Sequence, residues 1–229
     1  MKKVAVFDID GTIFRSSLLI ELVDGLTAEG IFDPNVRKIF LKKKGLWITR
    51  KGSYGDYIDA VIKVFTENLK GVSFTDFDRV GTRVVKMNRD RVYRFTRDLI
   101  KELKKKHYYL LAVSQSPKRL LDEFCKTLGF DKVYGRFYEL GPNDKFTGEV
   151  VDLHLIANKA NIVKRVVAKE GLTLKDSIGV GDTEGDISFL ELVENPICFN
   201  PNEKLLRWAR RNKHRVVVER KDVVYEIGM

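Results

Sequence analysis

Phe7-Asp8-Ile9-Asp10-Gly11-Thr12-Ile13-Phe14 decides the reading of this chain. The run before it, Val4-Ala5-Val6-Phe7, is apolar, β-branched and aromatic, and predicts a buried strand. That strand ends in two aspartates one residue apart, followed by a glycine and a threonine. Packing gives no reason for two carboxylates there. Desolvating one unpaired carboxylate is costly, and a second beside it adds like-charge repulsion. A divalent cation would neutralise the pair, and one of the two could also attack a substrate.

Working outward, helical spacing dominates from Ser16 to Met87. Leu18, Leu19, Leu22, Val23 and Leu26 form one apolar face, and Tyr54, Tyr57, Ile58, Val61, Ile62 and Phe65 form another. Glycines 45, 52, 55 and 71 punctuate the stretch, and no strand alternation stands out, so a small helical bundle is expected. Strands and helices then alternate. A helix around Leu99, Ile100 and Leu103 precedes a strand, Tyr108 to Val113, that ends in Ser114-Gln115-Ser116-Pro117. Pro117 suits a first helical turn with Ser116 as its cap, and Gly129 suits the helix end. Short strands are expected from Phe130 to Leu155 around Gly141-Pro142-Asn143-Asp144, then a helix from about Asn158. A strand from Ser177 to Val180 leads into Gly181-Asp182. A helix Ile187–Val193, a strand Ile197–Phe199, a helix Glu203–Arg211 and a strand Arg215–Val218 complete the series. Such alternation implies an α/β domain with a mostly parallel sheet covered by helices on both faces. The expected division is an α/β core of residues 1–14 and 88–229 with a helical cap of residues 15–87 inserted after the first strand. A chain that leaves the sheet at the aspartates is expected to carry its insertion over the strands' carboxyl ends, where such sheets bind ligands, as a lid.

Composition narrows the function classes. The chain has 229 residues, 44% hydrophobic and 32% charged, as in a globular protein with a sizeable core. No apolar run approaches the roughly 20 residues of a membrane helix. The basic start Met1-Lys2-Lys3 is followed by an apolar stretch that breaks at Asp8, too short for a signal peptide. Cys125 and Cys198 form neither a disulfide framework nor a zinc pattern, and His107, His154 and His214 have no ligand spacing. A cytoplasmic protein with a hard, oxygen-bound metal is expected. The net charge of +10 allows an anionic substrate, nucleic acid or membrane surface. Lys104-Lys105-Lys106, without interleaved aromatics, reads as a helix C-terminus complementing its dipole, so nucleic acid is not the expected partner.

The polar residues at strand ends carry the chemistry. They are Asp8 and Asp10, then Ser114, then Lys159 opening a helix, then Gly181-Asp182-Thr183-Glu184-Gly185-Asp186. In this order they resemble the haloacid dehalogenase-like hydrolase superfamily, whose signature is Asp-x-Asp-Gly-Thr, Ser or Thr after a strand, a lysine, and Gly-Asp-x-x-x-Asp. The segment from Lys159-Ala160-Asn161-Ile162-Val163-Lys164 through Val180-Gly181-Asp182 is most similar to the phosphoserine-phosphatase-like branch, of the IB type. The resemblance implies a Rossmann-like core with a helical cap, and a Mg²⁺-dependent phosphatase acting on a small phosphorylated metabolite.

Residue by residue, Asp8 suits a nucleophile that forms an aspartyl-phosphate. Asp10 suits the acid that protonates the leaving oxygen and the base that then activates water. By resemblance the metal ligands are the Asp8 carboxylate, the Asp10 backbone carbonyl and Asp182, with Asp186 auxiliary, through water or by orienting Lys159. Ser114, Gln115, Lys159, Gly11 and Thr12 would hold the phosphoryl group. An acid at Asp10 favours phosphomonoester hydrolysis, or phosphoryl transfer to another alcohol. The branch's substrate-contacting glutamate and cap arginine fall on Ser17 and near Asp59, with Glu21 one turn beyond Ser17, and Ser114-Gln115-Ser116 replaces the usual Ser-Gly-Gly. These departures disfavour phosphoserine. The rival reading is a basic protein that binds nucleic acid or another partner with vestigial catalysis. An intact acidic cluster argues against it, because an unused one destabilises a fold.

Overall fold

A computed structural model describes residues 1–151 and 158–228. The strands are β1 (Lys3–Phe7), β2 (Tyr109–Pro117), β3 (Lys132–Leu140), β4 (Phe146–Val151), β5 (Thr173–Gly181), β6 (Asn195–Phe199), β7 (Arg215–Arg220) and β8 (Val223–Ile227). The helices are α1 (Leu18–Ala28), α2 (Val36–Ile48), α3 (Tyr54–Leu69), α4 (Phe74–Asn88) and α5 (Arg94–Lys105). They continue with α6 (Lys118–Leu128), α7 (Lys159–Lys169), α8 (Ile187–Leu190) and α9 (Glu203–Asn212). The chain forms two compact units. One comprises residues 1–16, 89–136 and the described part of 152–229; the other comprises 17–88 and 137–151.

The first unit is α/β. Its strands run in the order β3-β2-β1-β5-β6-β7-β8, parallel except for the last pair. β1 is central: Val4, Ala5, Val6 and Phe7 are all fully buried. Val4 and Val6 share one core cluster with Leu111, Val113, Val163, Phe189 and Leu205, which come from β2, α7, α8 and α9. Each buried apolar side chain of this size contributes about 1.5–3 kcal/mol, and a one-residue slip would turn the whole set to the wrong face. The register is therefore fixed: Phe7 lies opposite Ala112 of β2 and Val180 of β5. This puts Asp8 beside the ends of both neighbours, its N–H donating to the Val180 carbonyl at 2.9 Å.

Two local expectations change. β2 runs through to Pro117, and α6 starts at Lys118 with Pro117 as its N-cap. Ser116 does not cap the helix, because its hydroxyl is committed elsewhere. Past Val218 the chain turns through Lys221 (φ +56°) and adds the edge strand β8, which the sequence pattern did not suggest. The lysine run does end a helix: Lys104 and Lys105 fill the last turn of α5, and Lys106 follows. At the other end of α5, Glu219 of β7 accepts the N–H groups of Arg94 (3.1 Å) and Phe95 (2.9 Å). Gly129 closes α6 at φ +77°. Both cysteines are free and buried, and burial pushes the Cys198 thiol up to about 12.

The second unit is helical with one hairpin. α1 buries the apolar face expected of it, and α3 opens with a reciprocal cap between Ser53 and Asp56. Phe65 of α3 meets the rings of Phe32, Phe77 and Tyr138. Tyr138 lies on the far half of β3, and Phe146 of β4 packs on Phe77 with 5.0 Å between centroids. Residues 137–151 thus cluster with the helices, although chain order groups them with the α/β series. Aromatic burial decides this, since Tyr138 and Phe146 find their partners on α3 and α4. Residues 152–157, including His154 and the end of the predicted short-strand region, lie outside the described residues. Among the described residues, no helix is long and apolar enough to cross a membrane.

Candidate active site

The loop after β1 is built to approach a carboxylate. The Ile9 carbonyl accepts the N–H groups of Ile13 and Phe14, both at 2.9 Å, which turns the chain tightly. Gly11 adopts φ +83°, and a Cβ there would stand 2.1 Å from Asp182 Oδ2. Only glycine lets the backbone come so close with that dihedral. Thr12 is fully buried and donates its hydroxyl to Asp182 Oδ1 at 3.2 Å. Its own carbonyl accepts from the Thr96 hydroxyl at 3.0 Å, which anchors the loop to α5.

Three carboxylates converge here. Asp8, Asp182 and Asp186 are all buried, and each has an oxygen within 4.8 Å of the others'. Lys159, at the start of α7, lies between two of them. Its Nζ donates to Asp8 Oδ1 at 2.5 Å and to Asp186 Oδ1 at 2.6 Å. Asp186 also organises the turn after β5, because its Oδ2 accepts the N–H groups of Asp182 and Thr183, both at 3.0 Å. Gly181 allows this, since a Cβ there would lie 2.5 Å from the Asp186 Cβ. The Asp182 carbonyl accepts from Asn202 N–H at 2.8 Å, tying in the loop before α9.

The electrostatics follow from the count of charges. Burial pushes the Asp8 carboxyl up to about 7; Lys159 opposes the shift, while Asp186 and Asp10 add to it. Asp182 is raised well above the usual carboxylate range, first by burial and then by Asp8 and Asp186. Burial works against the Lys159 ammonium, but Asp186 and Asp8 outweigh it and hold its pKa above the ordinary value. One ammonium does not balance three carboxylates in so dry a place. The donor set is all hard oxygen with excess negative charge, which fits a Mg²⁺ ion.

A second cluster forms at the end of β2. Ser114 and Ser116 lie two residues apart on one face of the strand, and both hydroxyls donate to Asp10 Oδ2 at 2.7 Å. The Ser116 N–H donates to Ser114 Oγ at 3.0 Å. Both serines are buried. Gln115 points the other way: it is exposed, and its side-chain oxygen accepts from Arg136. In the helical unit, Ser17 is the buried residue preceding α1 and Asp59 is exposed on α3.

Of the residues picked out in the sequence, Asp8, Gly11, Thr12, Lys159, Asp182 and Asp186 gather at one place. Asp10 and Ser114 meet each other beside it. Ser116 is the residue missed as a member of the site. The signal was the serine pair at period two, read instead as a helix entry because Pro117 follows.

A family model described as haloacid dehalogenase-like hydrolase matches residues 5–191 of this chain. The chain belongs to that family. Among curated relatives, the phosphoserine phosphatase of Archaeoglobus fulgidus is 25% identical over 205 residues, covering 89% of this chain and 54% of that protein. The chain thus spans about half the length of that relative. The phosphoserine phosphatase of Methanocaldococcus jannaschii is 23% identical, over 97% of this chain and 94% of its own length. A solved structure described as a phospho-aspartyl intermediate analogue of phosphoserine phosphatase superposes with a TM-score of 0.65 at 22% identity. It covers 96% of this chain and 95% of its own. At that identity the likeness is one of fold: the mostly parallel sheet with its helices is the family's architecture.

Proposed function

We propose that the chain is a Mg²⁺-dependent phosphomonoester hydrolase that acts on a small phosphorylated metabolite by way of a phosphoryl group carried on Asp8. The observation that carries this is the buried trio Asp8, Asp182 and Asp186 around a single Lys159 ammonium. The phosphoserine phosphatase relatives and the family's hydrolase chemistry support the same reading.

An Asp8 carboxylate oxygen attacks phosphorus, and the ester oxygen leaves with a proton from Asp10. Water then attacks the phosphorus of the aspartyl-phosphate. Asp10, now a carboxylate, takes the water's proton, and the bond to Asp8 breaks. Lys159 and the Ser114 hydroxyl bind the phosphoryl oxygens and the charge that builds on them, whereas the Gly11 and Thr12 N–H groups close their own loop by donating to the Phe14, Ser16 and Ile9 carbonyls. The Asp8 and Asp182 carboxylates and the Asp10 carbonyl would hold Mg²⁺, with Asp186 steadying Lys159. The cation would offset the excess negative charge of the cluster and of the phosphoryl group. The helical unit would act as the family's cap and choose the substrate. The serine at position 17 and the exposed Asp59 argue for a substrate other than phosphoserine.

A panel of phosphorylated metabolites, assayed for phosphate release with and without Mg²⁺, tests the reading. Mg²⁺-dependent release that Asp8→Asn abolishes is expected. Release that persists in Asp8→Asn would remove Asp8 from the reaction. Salt-sensitive binding of DNA or RNA with no release from any phosphate ester would favour a binding protein instead.

A further inference from the structure

We propose that Ser116 is a positioning residue that holds the Asp10 side chain in place for its part in the reaction. The proposal rests on the hydrolase reading and deepens it. Asp10 Oδ2 accepts two hydroxyl hydrogens, from Ser114 and from Ser116, each at 2.7 Å. Two hydroxyls on one oxygen fix the direction in which the carboxyl group points.

The two serines differ in what else they must do. A hydroxyl has one hydrogen. Once Ser114 gives its hydrogen to a phosphoryl oxygen, it no longer holds Asp10. Ser116 has no second duty: its hydroxyl serves Asp10, and its N–H orients Ser114 by donating to Oγ at 3.0 Å. The chain also pre-sets Ser116. A residue before proline is restricted to extended backbone, and Pro117 follows directly. Extended backbone keeps positions 114 and 116 on one face of β2, so both hydroxyls reach the same oxygen. Ser116 is 4% exposed, so water does not readily replace it. Glycine at this place, as in the Ser-Gly-Gly of the resembling branch, would supply the N–H but not the hydroxyl.

The test compares an alkyl phosphate (β-glycerophosphate) with an aryl phosphate (p-nitrophenyl phosphate) on the full chain with Mg²⁺. An aryl leaving group needs little protonation, so losing the held acid harms it less. In Ser116→Ala, kcat on the alkyl ester is expected to fall about tenfold to a hundredfold with KM little changed, and kcat on the aryl ester much less. Ser116→Thr keeps the hydroxyl and is expected to restore the alkyl-to-aryl ratio. Ser116→Val, the same shape without the hydroxyl, is expected not to, and it replaces the alanine variant should that one fail to fold. Equal losses on both esters, or equal ratios in the threonine and valine variants, would overturn the proposal. Absence of turnover by the unmodified protein on either ester and on the metabolite panel would instead overturn the hydrolase reading, and Ser116 with it.

Discussion

The ends of β5 and β2 both meet the aspartate-bearing loop after β1, yet they treat their carboxylates in opposite ways. At β5, Asp182 shares a buried space with Asp8 and Asp186, and its Oδ1 accepts the Thr12 hydroxyl at 3.2 Å. Its pKa is driven up by burial and like charge. At β2, Asp10 receives two hydroxyl hydrogens at 2.7 Å from neutral side chains. One end accumulates charge that the protein alone does not neutralise; the other steadies a carboxylate with dipoles. The first suits a group that meets a cation and a phosphoryl group. The second suits a group that must pass a proton without moving. One loop thus feeds two different strand-end environments, with Asp8 in the first and Asp10 in the second.

Substitutions at the two ends should separate. The largest effect is expected for Asp8→Asn: phosphate release falls below detection, while the thermal unfolding temperature stays near that of the parent. Retained release would dissolve the distinction between the ends. Asp10→Asn comes next, with a loss of about 10²–10⁴ in kcat on alkyl phosphates and a smaller loss on aryl phosphates. Equal losses would mean that Asp10 does not donate to the leaving group. Lys159→Met probes the charged end through stability. Removing one member of a buried, hydrogen-bonded ion cluster costs about 3–5 kcal/mol, read from urea unfolding in EDTA. Ser116→Ala should cost far less by the same measure, since it removes a neutral donor. A similar loss in both would erase the contrast.

Gly11→Ala should cost about 1–2 kcal/mol from the left-handed backbone alone, with a further loss because its Cβ runs into Asp182. Asp182→Asn has the smallest and most telling effect on stability. It removes a crowded negative charge but keeps an oxygen for the Thr12 hydroxyl, so the metal-free protein should become slightly more stable. Addition of Mg²⁺ should raise the unfolding temperature of the parent and leave that of Asp182→Asn nearly unchanged. A destabilised Asp182→Asn would show that the cluster is not charge-frustrated.

Much of this was legible in the chain because it is written in local pattern. β1 is a short apolar run whose burial fixes the register, so the position of Asp8 beside β2 and β5 follows from the strand signal. Gly11 and Gly181 stand next to acidic residues in sequence, and each proves to admit a carboxylate where a Cβ would collide. What stayed hidden depends on contacts between distant segments. Residues 137–151 read as part of the α/β series until Tyr138 and Phe146 meet Phe65 and Phe77. Ser116 looks like a helix cap because Pro117 follows, and only Asp10, 106 positions away, redirects its hydroxyl. Glu219 gives no sign in sequence that it will satisfy the first N–H groups of α5, 124 and 125 positions back.

The central claim is that the charged end exists to let Asp8 carry a phosphoryl group. Acid quenching of the enzyme during turnover of a substrate with Mg²⁺, followed by borohydride reduction and peptide mass analysis, addresses it directly. Borohydride converts an aspartyl-phosphate to homoserine, and the account predicts that conversion at position 8 and nowhere else in the chain. An unmodified Asp8 under conditions of rapid turnover, or the mark on Asp182 or Asp186, would contradict it.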